Sequence, residues 1–89
     1  MASYSVLITK SAAKELEAVP EKDRRRIIAR VRGLADEPRP FGAEKLSGDN
    51  KYRIRQGNFR VLYEILDREL VITVIRIGNR RDIYRRRGG

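Results

Sequence analysis

Arg53, Arg55 and Arg60 stand on either side of Gly57-Asn58, in a stretch where charged and apolar residues alternate: Lys51-Tyr52-Arg53-Ile54-Arg55-Gln56-Gly57-Asn58-Phe59-Arg60. Guanidinium forks match phosphate oxygens two at a time and keep their charge at any physiological pH, so this spacing suits a site that holds phosphate. If Gly57 and Asn58 form a two-residue turn, Arg55 faces Arg60 across a hairpin. Arg53 then lies two residues along on the same face, and Lys51 follows it. The opposite face carries Tyr52, Ile54, Phe59, Val61, Tyr63 and Ile65, an apolar set able to meet a core. Like charges placed directly across a ladder oppose pairing by on the order of 0.2 to 1 kcal/mol, so the cluster asks for a reason. One reason is an anionic ligand. The competing structural reading is that Glu64, the acid on the basic side of this hairpin, and acids from the loops neutralise the arginines within the fold.

Further cations follow. A three-residue turn over Asp67, Arg68 and Glu69 would set Arg76 opposite Arg60, matching Val61 to Ile75 and Tyr63 to Thr73 and enlarging the patch. Beyond Gly78 come Arg80, Arg81 and Tyr84. Arginine there suits phosphate, and a phenol can stack on an unpaired base, although a tyrosine at a strand end is also a common half-buried packing residue. Lys51, Arg76 and Arg81 read as further RNA-binding positions.

Composition removes much other chemistry. The 89 residues include no cysteine and no histidine, which excludes thiolate nucleophiles, imidazole bases, disulfides and the usual zinc ligands; no metal site is expected. The formal net charge is +9, so a polyanion is the natural partner. Residues 1–50 hold ten basic and eight acidic side chains, and residues 51–89 hold eleven and four. The polyanion should therefore meet the C-terminal half. Neither a secretion signal nor a membrane span is read at the N-terminus, and no segment pairs a broad apolar helix face with a basic one, so a cytoplasmic protein without a membrane partner is expected.

The elements that must position these groups follow from periodicity. Tyr4–Thr9 alternates as a first strand. Ser11 offers an N-cap to a short helix over Ala12–Val19, with Ala12, Leu16 and Val19 on its apolar face. Pro20 stops that helix and suits the first turn of a second, in which Ile27, Ile28, Val31, Leu34 and Ala35 recur at helical spacing. Arg24, Arg25, Arg26, Arg30 and Arg32 of this helix read as a solvated face with local ion pairs, or else as a docking surface. Pro38, Pro40 and Gly42 open a loop through Gly48 and Asp49 where regular structure is not expected. Strands over Lys51–Gln56, Phe59–Leu66 and Leu70–Ile77 complete the chain. The order β-α-α-β-β-β predicts one α+β domain over residues 1–89: an antiparallel sheet of about four strands, with a helical hairpin on one face.

The segments Tyr52 to Ile65 and Ile75 to Tyr84, with the Leu16–Pro20 helix end and Leu46-Ser47-Gly48, resemble the RelE/ParE toxin superfamily, and specifically its RelE branch, across essentially the whole chain. The resemblance implies a toxin of a type II toxin–antitoxin system, a ribosome-dependent endoribonuclease that cuts messenger RNA in the A site. A ribose 2′-hydroxyl attacks the adjacent phosphorus, leaving a 2′,3′-cyclic phosphate, with no cofactor. It implies a cognate antitoxin, the ribosome and mRNA as partners, with a toxin monomer inside a toxin–antitoxin hetero-oligomer. It assigns Arg53 and Arg55 to phosphate contact, Arg60 to transition-state stabilisation, Arg80 to the general acid and Tyr84 to substrate stacking. Arginine replaces the family's lysines at Arg53 and Arg55. A group protonated to pH 12 or so is a poor general base, so the acceptor of the 2′ proton is not evident among these residues. Two other readings share the fold: a ParE-like inhibitor of DNA gyrase, and a non-catalytic RNA-binding member of the family.

Overall fold

The computed structural model describes residues 3–46, 48 and 50–79. The elements are β1 (Ser5–Ile8), α1 (Lys10–Glu17), α2 (Glu21–Gly33), β2 (Glu44–Lys45), β3 (Lys51–Gln56), β4 (Phe59–Leu66) and β5 (Val71–Asn79). They form an α+β fold in which five strands pair in the order β1-β5-β4-β3-β2. Ala12, Val19, Ile27 and Leu34 from the helical hairpin join Ile54, Val61, Tyr63, Ile65, Ile72, Val74 and Ile77 from the sheet in one buried cluster. The helix, β3 and β4 positions are those the periodicities pick out, whereas on β5 the expected register turned Thr73 and Ile75 toward the core and the buried residues are Ile72, Val74 and Ile77. Each buried Val, Leu or Ile of the cluster stabilises the fold by roughly 1.5–3 kcal/mol through burial.

The structure departs from the sequence expectations in four places. The sheet is mixed rather than antiparallel, because β1 pairs parallel to β5, with Ser5 opposite Val71 and Ile8 opposite Val74. A fifth strand, β2, lies in the segment expected to be irregular and pairs antiparallel with the edge of β3, Glu44 opposite Arg53 and Lys45 opposite Tyr52. Two residues carry no readable periodicity, yet they satisfy an edge that would otherwise stand open. The cap of α1 is Thr9, whose Oγ1 accepts the Ala12 N–H at 3.1 Å. Pairing sets this start: the Thr9 N–H donates to Val74 O at 3.1 Å, which keeps Thr9 extended and puts Ser11 inside the first turn.

The fourth departure moves a predicted site residue. Leu66 pairs with Val71, so the β4–β5 turn spans four residues, closed by Leu70 at φ +58°. A bulge between Leu62 and Tyr63 and their partners then adds one residue to β5. Arg76 consequently faces Leu62, while Gly78 faces Arg60. An isolated turn signal carries no information about a bulge further along the ladder.

The loop after α2 is tied to the sheet. The buried Tyr63 hydroxyl donates to Pro38 O at 2.7 Å, and burial pushes its pKa up to about 12. Arg39 donates to Asp67 at 2.8 Å and to the Tyr52 hydroxyl at 3.0 Å, while Tyr4 donates to the same aspartate at 2.6 Å. The Tyr52 ring in turn stacks on Tyr63, with centroids 5.9 Å apart. These anchors fix where the chain enters β2.

Candidate nucleic-acid interface

The β3–β4 hairpin has the register that its alternation implies. Arg55 faces Arg60, Ile54 faces Val61 and Tyr52 faces Tyr63 around Gly57, which takes φ +62°. Arg53 lies on the same side as Arg55, and Lys51 stands opposite Glu64. Arg60 is 7% exposed and is the one buried charged residue among the described residues. Its partner on β5 is Gly78. Arg55 is exposed, and Arg53 is partly covered. The hairpin thus presents three guanidinium groups at different depths on one face.

Glu44 was not singled out in the sequence, and the structure brings it to this face. Because β2 pairs with β3, Glu44 sits opposite Arg53, whose Nε donates to Oε1 at 3.0 Å and whose second nitrogen also reaches that oxygen. The hydrogen bonds from Arg53 hold the Glu44 carboxyl below the usual carboxylate range, and the charges of Arg53, Arg55 and Arg60 act in the same direction. An acid from the loop therefore does meet the basic cluster, as the neutralising reading required. Glu44 is the carboxylate that the described residues show hydrogen-bonded to Arg53. The available signal was only an acidic residue two positions before Leu46; its pairing partner could not be read locally.

Arg76 stands opposite Leu62 rather than Arg60 and pairs with an acid of α1. It donates to Glu15 at 3.1 Å, and the other oxygen of Glu15 accepts the Ile77 N–H at 2.8 Å. Glu15 thereby closes the part of β5 that lies beyond the end of β1, and Arg76 is held as its counter-ion. This corrects the expected register, in which Arg76 stood opposite Arg60. Arg80, Arg81 and Tyr84 lie outside the described residues; in sequence Arg80 and Arg81 directly follow Asn79, which pairs with Phe59 at the hairpin end.

The arginines of α2 divide by role. Arg25 makes the expected i,i+4 pair with Glu21 at 2.8 Å. Arg24 donates to Glu17 O and Val19 O, closing the turn between the helices. Among the described residues no group of three potential metal ligands comes together, and no helix is long and apolar enough to cross a membrane.

The two-helix, five-strand fold is shared with small toxins of toxin–antitoxin complexes. The model of the family described as the ParE toxin of type II toxin–antitoxin system, parDE, matches residues 6–84. The chain belongs to that family and is RelE-like within the RelE/ParE superfamily. It is 31% identical to toxin RelG of Mycobacterium tuberculosis, the match covering 93% of this chain and 98% of that one. The archaeal RelE–RelB complex from Pyrococcus horikoshii contains a chain of 30% identity that superposes with a TM-score of 0.77, covering 88% of this chain and 96% of that one. A chain of the RelB–RelE antitoxin–toxin complex from Methanococcus jannaschii is 28% identical with a TM-score of 0.75, covering 91% and 98%.

Proposed function

We propose that this toxin, a single domain over residues 1–89, is a ribosome-dependent endoribonuclease that cuts mRNA in the A site and is restrained by a cognate antitoxin. The observation that carries this reading is the opposed pair Arg55 and Arg60, with Arg53 beside them and Glu44 drawn into their field. Attack of a 2′-hydroxyl on phosphorus develops negative charge on the phosphorane oxygens. Fixed guanidinium donors stabilise that charge most when solvent is excluded, which suits buried Arg60. Arg53 and Arg55 hold the phosphate and bend the strand into line.

Glu44 supplies what the arginines lack. It is the carboxylate that the fold brings to this face, and as the anion it accepts the 2′ proton while Arg53 orients it, although pairing with Arg53 makes it a weaker base than a free carboxylate. Arg80 protonates the leaving 5′-oxygen, Tyr84 stacks on the substrate, and Lys51 and Arg81 add charge toward the RNA backbone. The reaction uses no metal and no cofactor. The toxin acts in the cytoplasm as a monomer released from a hetero-oligomer in which acidic side chains of the antitoxin complement the arginines.

The family model carries the ParE description, and that favours testing gyrase beside the ribosome. In a purified translation system, mapping of 5′ ends on the message should show toxin-dependent cuts in the A site, while gyrase supercoils DNA normally in parallel. Uncut message with blocked supercoiling refutes the ribonuclease reading. Binding to RNA with neither effect identifies a non-catalytic member.

A further inference from the structure

Phe41 is fully exposed, at 103% of its reference area. It occupies the corner of a turn closed by the Ala43 N–H donating to Pro40 O at 2.9 Å, with Gly42 at φ +94° carrying the reversal. The preceding residues are the anchored ones: Pro38 O is held by Tyr63, and Arg39 by Asp67 and Tyr52. The phenyl ring is thus presented by a tied turn and is not buried by the described residues. A single exposed apolar residue is ordinary on a protein surface. Its surroundings here are not.

Phe41 lines an open concavity of about 340 Å³ together with Arg30, Gly42, Glu44 and Arg55. Arg55 also lines the smaller recess beside it, formed with Gly57, Asn58, Phe59 and Arg60. One surface therefore runs from the buried arginine through Arg55 to the exposed ring. The other large exposed apolar side chains among the described residues, Leu7, Ile8 and Leu70, lie on β1 and at the β4–β5 turn. Phe41 has cations as neighbours where an apolar protein contact would have further apolar side chains. A flat ring flanked by guanidiniums matches a nucleotide, whose base stacks while its phosphate pairs.

We propose that Phe41, flanked by Arg30 and Arg55, is a stacking platform for an unpaired base of the RNA strand adjoining the phosphate held at Arg60. The proposal rests on the ribonuclease reading, and its test separates the two. The chain contains no tryptophan, so Phe41→Trp creates a single tryptophan at the site, whose emission is excited apart from that of the tyrosines. A single-stranded 2′-O-methyl oligonucleotide, which cannot be cut, should quench that emission, and a matching abasic backbone should not. On programmed ribosomes Phe41→Ala should slow cleavage about tenfold, and Phe41→Tyr and Phe41→Trp should restore it, because stacking needs only an aromatic face. Normal cleavage by Phe41→Ala beside an active wild type overturns the platform and leaves the ribonuclease reading intact. A loss that neither Tyr nor Trp restores assigns Phe41 to the turn itself and overturns it too. If the wild type cuts nothing, the ribonuclease reading fails, and the two oligonucleotides still decide: equal or absent quenching removes the platform. Loss of antitoxin capture by Phe41→Ala with no response to either oligonucleotide would give the ring to a protein partner instead.

Discussion

Arg60→Ala tests the site at the point where burial and charge coincide. At 7% exposure the Arg60 guanidinium is screened less than a surface arginine, so its field on a developing phosphorane is stronger. Removing one fixed donor from a site that stabilises an oxyanion costs about 10²–10³-fold in rate, or ~2.7–4 kcal/mol. The lower end, about 10²-fold, is expected here because Arg53 and Arg55 remain on the same face. The fold should change little. Arg60 lies outside the apolar cluster, and its removal relieves an opposition to Arg55 worth on the order of 0.2–1 kcal/mol. The assay is single-turnover cleavage on programmed ribosomes at saturating toxin, with thermal unfolding measured on the same preparations. Arg60→Lys, which keeps the charge and loses the fork, should fall between. Arg24→Ala is the control: it loosens the turn between the helices and should leave cleavage near the wild-type rate. Wild-type cleavage by a folded Arg60→Ala protein refutes the assignment of transition-state charge to this face.

Glu44→Gln should slow cleavage by about 10²-fold and abolish the acid limb of the pH–rate profile. That limb should lie below the ordinary carboxylate range in the wild type, because Arg53 lowers the Glu44 pKa; an unchanged limb would show that another group accepts the proton. Tyr63→Phe removes the hydrogen bond to Pro38 O, which contributes about 1 kcal/mol net, and should lower the melting temperature by roughly 4–8 °C. An unaltered melting curve would mean that this anchor does not hold the loop. Asp67 has its pKa lowered by the hydrogen bonds from Arg39 and Tyr4, so its contribution is present above the ordinary aspartate range and is lost as pH falls through the lowered value. Urea unfolding should therefore show wild type more stable than Asp67→Asn at pH 7, with the two converging in acid; a gap that persists in acid contradicts this.

Most of the fold was legible because its elements announce themselves through local period. The alternation from Tyr52 to Ile65 specifies the face of every residue in the hairpin, since a slip by one would turn Ile54 and Val61 out of the core. The Arg55–Arg60 opposition follows from that alternation and a two-residue turn. The helical spacing of Ile27, Val31 and Leu34 did the same for α2. Where the sequence reading failed, the deciding contact was distant along the chain. Arg76 was placed opposite Arg60 because the turn holds four residues rather than three, and because a bulge further along the ladder shifts β5 by one more without any mark in the residues beside the turn.

The chemistry divides along the same line. The sequence by itself determined a small basic α+β domain without histidine or cysteine, with arginines opposed on one hairpin face, because charge and alternation are properties of neighbouring residues. Tertiary structure alone decided which acids meet those arginines. Glu15 claims Arg76 because β1 ends before β5 does, and Glu44 reaches Arg53 because a two-residue strand closes the far edge of the sheet. Both contacts join segments that only the folded sheet brings together, so no local pattern could record them.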